Sequence, residues 1–125
     1  MILDTNALSA FADGEPGALA EIGKAPLIAI PVIVLGEFLF GIARSRRRSE
    51  YERWIHQTLG AAQFLDVSSG TAAKYAEVRL ELKDSGRPIP SNDMWIAALC
   101  RQHGLPILSR DRHFEFVQGI RRVGW

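Results

Sequence analysis

Four carboxylates stand at the ends of apolar runs or inside them. Asp4 follows Met1-Ile2-Leu3, and Glu37 lies within the run from Ile30 to Ile42. Asp93 opens Asp93-Met94-Trp95-Ile96-Ala97-Ala98-Leu99, and Asp111 follows Pro106-Ile107-Leu108-Ser109-Arg110. A carboxylate is rarely buried without a partner, because an unpaired charge gives up its hydration for nothing. Taken singly, Asp4 and Asp93 suit helix N-caps and Asp111 suits a turn. Glu37 does not fit so easily. Its helical neighbours are Ile33, Val34, Phe40 and Gly41, and no basic residue follows before Arg44, so only an ion pair from elsewhere in the chain would offset it. A cation shared by all four is the common explanation. At separations of about 5 Å and an effective dielectric of about 20, each pair repels by about 3 kcal/mol. All pairs together then reach roughly 20 kcal/mol, more than the roughly 5–15 kcal/mol of a domain's net stability. Oxygen ligands of this kind select Mg²⁺ or Mn²⁺ over zinc.

The 125 residues match one domain spanning 1–125, and 47% hydrophobic content supplies a core for it. A net charge of +1 speaks neither for nor against nucleic acid. The basic residues are 12 Arg against 3 Lys. Arginine forks suit phosphate, although a GC-rich genome enriches Arg equally well. A single cysteine, Cys100, excludes an intrachain disulfide and reads as a small core residue. No secretion signal is visible. The run Pro31 to Phe40 is too short for a membrane span and contains Glu37. A cytoplasmic protein is expected.

The elements that must position these carboxylates follow from the pattern of apolar runs and breakers. Met1–Leu3 and Leu27–Ile30 read as buried strands, Gln63–Val67 as a third, Pro106–Leu108 as a fourth, and Arg121–Trp125 as an edge strand. Asp4-Thr5-Asn6 caps a short helix, and Ala18–Lys24 forms another. Pro31 starts an apolar helix to about Ala43, and a helix over 49–59 follows the basic turn Arg44–Arg48. Ser69 caps a long amphipathic helix, and Ser91 or Asn92 caps the helix that ends at Gly104. Alternating strands and helices predict an α/β fold with a mainly parallel sheet of four to five strands. In such sheets, sites lie beyond the carboxyl ends of the strands, where all four acids could meet.

These residues resemble a known family. Asp4-Thr5-Asn6 after an N-terminal strand, Gly36-Glu37 in an apolar helix ending Phe40-Gly41-Ile42, Asn92-Asp93-Met94-Trp95-Ile96-Ala97-Ala98, and Leu108-Ser109-Arg110-Asp111-Arg112-His113-Phe114 look like the PIN domain. The similarity is greatest to VapC-type toxins of bacterial toxin–antitoxin pairs, and it spans nearly the whole chain in order. The resemblance implies a Mg²⁺- or Mn²⁺-dependent endoribonuclease with Asp4, Glu37, Asp93 and Asp111 as its acidic site. Thr5, Asn6, Asn92 and Ser109 would support that site. It implies hydrolysis that leaves 5′-phosphate and 3′-hydroxyl ends, sequestration by a VapB-like antitoxin, and a homodimer or a larger toxin–antitoxin assembly. The chain departs from the family where many members carry Ser or Thr shortly before the glutamate; here Pro31-Val32-Ile33-Val34 stands instead.

No nucleophile pairs locally with a histidine, so water is the expected attacking group. His113 is expected at the surface, and Trp54, Trp95 and Trp125 in packing. Arg110 and Arg112, beside Asp111, are candidate RNA contacts, as are Arg44, Arg46 and Arg47. Phe38-Leu39-Phe40 is a candidate partner groove. Three other readings compete. A phosphatase with Asp4 as nucleophile wants a second Asp two residues on, where Asn6 stands. A phospho-acceptor domain wants an acidic pair and a late Lys. A non-catalytic binding module leaves the acidic set unexplained.

Overall fold

The computed structural model describes residues 1–125. Its centre is a parallel sheet of β1 (Ile2–Leu3), β2 (Ala29–Pro31), β3 (Gln63–Leu65), β4 (Ile107–Leu108) and β5 (Arg122–Val123), ordered β3-β2-β1-β4-β5. Every neighbouring pair is parallel, with Ile2 level with both Ala29 and Ile107. β1 and β4 have no polar alternation because both faces are covered: Ile2, Leu3, Ile107 and Leu108 are fully buried. The helices are α1 (Thr5–Ala12), α2 (Pro16–Gly23), α3 (Val32–Ile42), α4 (Arg48–Thr58), α5 (Ser69–Asp84) and α6 (Ser91–His103). Short 3-10 turns lie at Leu59–Ala61 and Arg112–Phe116. No helix is long and apolar enough to cross a membrane.

The chain leaves β1 toward β2 and β3 on one side, then returns to place β4 and β5 on the other. The order therefore reverses at β1, and the crevice between the carboxyl ends of β1 and β4 is the topological switch point. α6 enters the core there. Ile96 to Cys100 are five consecutive buried residues, because sheet and α5 leave this helix no solvent face along that stretch. Cys100 is sealed in, and burial pushes its thiol up to about 12, which removes it as a nucleophile.

Several boundaries differ from the sequence expectation. Pro31 ends β2, level with Leu65, rather than opening α3; a strand's final residue tolerates a missing N–H. Ser68, not Ser69, caps α5, since only Ser68 can exchange bonds with Thr71 in a capping box. Neither Ser91 nor Asn92 caps α6. Pro90 occupies that position in an extended conformation, and the Asn92 amide is committed elsewhere. Phe38 is buried against Tyr51 and Trp54, so of the Phe38-Leu39-Phe40 run only Leu39 and Phe40 are exposed.

Candidate active site

At the switch point, Asp4, Thr5, Asn6, Glu37, Asp93 and Asp111 line one cleft of about 240 Å³ with no hydrophobic wall. Each acid arrives on a different element. Asp4 ends the β1 segment and caps α1, its Oδ1 accepting the Ala7 N–H at 2.7 Å. Glu37 projects from the second turn of α3. Asp93 sits in the first turn of α6, and Asp111 at the start of the 3-10 turn after β4. Acids as far apart in sequence as Asp4 and Asp111 come together only because the sheet order reverses at β1.

The charges strain one another. Asp4 is 3% exposed, and its carboxyl is pushed up to about 6. Burial is the main cause. Hydrogen bonds from Ser109 and Ala7 oppose it, and the charges of Asp111 and Asp93 add to it. Asp93 is also raised, mainly by burial, with His113 opposing and Asp111 and Glu37 reinforcing. Glu37 is held on both oxygens: Thr5 Oγ1 donates to Oε2, and Asn92 Nδ2 donates to Oε1 at 2.6 Å. No basic side chain reaches it, which removes the ion-pair alternative. Ser109 is buried and its Oγ accepts the Asp111 N–H at 2.9 Å, so the hydroxyl ties the Asp4 and Asp111 segments together.

His113 is not a surface residue. Its Nε2 lies 2.9 Å from Asp93 Oδ2, and its side chain is 23% exposed. The geometry does not make a hydrogen bond, so Nε2 is buried beside the Asp93 carboxylate without a bonded partner. The sequence signal that would have found it is its place directly before Phe114, whose ring is buried and lies 4.8 Å from the imidazole.

The arginines separate into engaged and free. Arg110 pairs with Glu15 and lies over the Trp125 ring at 4.5 Å, while Arg112 is 82% exposed and only grazes Glu115; neither lines the cleft. Arg47 is held by Glu50 at 2.9 Å and approaches Asp13, and Arg48 is held by Glu52. Arg44 and Arg46 are exposed with no ion pair. They flank Ser45, which lines a second groove of about 280 Å³ that shares Thr5 and Glu37 with the acidic cleft. Trp54 packs edge-on to Phe11, and Trp95 stacks on Tyr75.

The donor set is entirely oxygen, as Mg²⁺ or Mn²⁺ requires. As they stand, no three of these side chains gather tightly enough to hold an ion. The reason is visible in their partners: Glu37 is drawn toward Thr5 and Asn92, and Asp93 toward His113.

The PIN domain family matches residues 1–119. Ribonuclease VapC2 of Rickettsia felis is 31% identical over 99% of this chain and 96% of its own length. The tRNA(fMet)-specific endonuclease VapC of Shigella flexneri is 28% identical, over 99% of this chain and 96% of its own. The fold superposes on DNA-bound VapBC of Salmonella typhimurium with a TM-score of 0.86 at 25% identity, covering 99% of this chain and 96% of that one.

Proposed function

The chain belongs to the PIN domain family, on its VapC branch, and from that premise we propose that it is a Mg²⁺- or Mn²⁺-dependent endoribonuclease acting as the toxin of a toxin–antitoxin pair. The observation that carries this reading is the convergence of Asp4, Glu37, Asp93 and Asp111 on one polar cleft, while the single cysteine, Cys100, is buried away from it. When bound, the divalent cation supplies the positive charge that offsets the phosphate oxygens during in-line displacement by water. Asp4, Asp93 and Asp111 would hold it, directly or through water. Glu37, oriented on both oxygens by Thr5 and Asn92, orients the water and accepts its proton. Asn6, at the cleft's exposed rim, and Ser109, behind Asp111, support the set.

The groove through Ser45 carries the RNA strand away from the cleft, with Arg44 and Arg46 contacting phosphates. Arg47, Arg110 and Arg112 contribute less, being ion-paired or remote from the grooves. A VapB-like antitoxin is the natural partner, in line with the two-component VapBC assembly of Salmonella typhimurium. Leu39 and Phe40, at 42% and 84% exposed, offer an apolar face for self-association into a dimer. The reaction takes place in the cytoplasm, within residues 1–125 acting as one domain. Incubation with total RNA decides the reading: cleavage in Mg²⁺ or Mn²⁺, lost in EDTA and in Asp4→Asn, is expected. Undiminished cutting in EDTA would refute it.

A further inference from the structure

Asp111 stands on a segment that has little local structure to hold it. It precedes a 3-10 turn of five residues, makes no side-chain cap, and its carbonyl accepts only a long bond from Phe114 at 3.4 Å. Short 3-10 turns are weakly bonded and depend on their surroundings. Phe114 and Val117 anchor the turn from the core side and Ser109 Oγ accepts the Asp111 N–H, while the polar tie between the two ends of the segment is made by one side chain. Arg122, on the edge strand β5, is only 15% exposed, although an edge arginine is ordinarily solvated. Its Nη1 donates to the Ser109 carbonyl at 2.8 Å, while Nε and Nη2 both donate to Glu115 Oε1 at 2.9 and 2.6 Å. A single planar guanidinium therefore grips the chain two residues before Asp111 and four residues after it. His113 lies inside the same closed loop, against Asp93. Room for the fork comes from Gly124: a Cβ there would lie 2.8 Å from Arg122 Nη1.

We infer that Arg122 is a positioning residue for the nuclease site: its fork on Ser109 and Glu115 holds the loop that presents Asp111 to the cation. This rests on the reading of the cleft as a Mg²⁺ or Mn²⁺ site. Lysine cannot reproduce the fork, because a point ammonium lacks the fixed geometry that serves both acceptors at once. Residues that orient metal ligands typically contribute 10–100-fold to affinity.

The experiment is Mn²⁺ binding to the full chain without RNA, followed by electron paramagnetic resonance of free Mn²⁺, beside melting temperatures. Wild type, Asp4→Asn, Asp111→Asn, Arg122→Lys, Gly124→Ala and the Asp111→Asn/Arg122→Lys double variant are compared. Arg122→Lys is expected to weaken Mn²⁺ binding by about tenfold, the lower end of that range. In the Asp111→Asn background it should cost nothing further, since it acts through Asp111. Gly124→Ala keeps the charge and the arginine but displaces the fork. It should weaken binding in the same direction, and it carries the test if Arg122→Lys does not fold. Wild-type binding in the folded Arg122 or Gly124 variants, or a full additive loss in the double variant, overturns the inference while leaving the site reading intact. Unchanged binding in Asp4→Asn overturns the site reading itself, and this inference with it.

Discussion

Replacing Asp4 with Asn should relieve a strain that grows with pH. The Asp4 carboxyl is raised from an ordinary 3.8 to about 6 in the folded protein. A group raised in this way favours the folded state when protonated. Its contribution is fully present below about pH 4, is lost as pH rises through about 6, and stays lost above it. At about 1.4 kcal/mol per pH unit, ionising Asp4 costs the metal-free fold about 3 kcal/mol, and about 2 kcal/mol of that falls between roughly pH 4.5 and pH 8. Asparagine keeps the shape and the N-capping oxygen but does not titrate. The stability difference between variant and wild type should therefore shift by about 2 kcal/mol in favour of the variant from roughly pH 4.5 to pH 8. Urea unfolding in EDTA at a series of pH values measures it. Any constant offset from the new amide cancels, because only the change of the difference with pH is read. A difference that is flat with pH, or that moves toward wild type, would refute the account of Asp4 as a buried charge crowded by Asp111 and Asp93.

Asp93→Asn should melt at least as high as wild type in EDTA yet gain much less from Mg²⁺. If about 5 mM Mg²⁺ is tenfold above the dissociation constant, wild type gains about 1.4 kcal/mol, or roughly 5 °C. Equal shifts in both proteins would exclude Asp93 from the cation site. For RNA binding by the Asp4→Asn protein, removing both Arg44 and Arg46 should flatten the slope of log affinity against log salt by about 1.4, at about 0.7 for each phosphate no longer neutralised. Arg47→Ala should flatten it by less, because Glu50 and Asp13 already hold that guanidinium; the reverse order would move the RNA path away from Ser45.

Residue patterning was enough to place the strands and helices in order, although the ends at Pro31, Ser68 and Pro90 depended on contacts it does not encode. Unbroken apolar runs such as Met1–Leu3 and Ile107–Leu108 have one stable use, a strand covered on both faces, and the structure uses them so. Acids placed at the ends of such runs are legible because desolvating a carboxylate is costly, so its presence there needs a reason that residue type and position reveal without coordinates. Gly104 likewise announced its helix end, at a φ of 64. How side chains far apart in sequence meet is a matter of packing. The sheet order that reverses at β1 closes the cleft, and it is set by the packing of whole elements rather than by any local pattern. Thr5 and Asn92 meet Glu37 across 32 and 55 residues, and Arg110 leaves the site for Glu15 across 95. The inward turn of His113 toward Asp93 follows from Phe114 and Val117 anchoring a short 3-10 turn. A hydrogen bond or charge contact depends on ångström-scale geometry that hydrophobic periodicity does not encode. Local patterning therefore specifies which acids are costly to bury, while the packed fold specifies what each one touches.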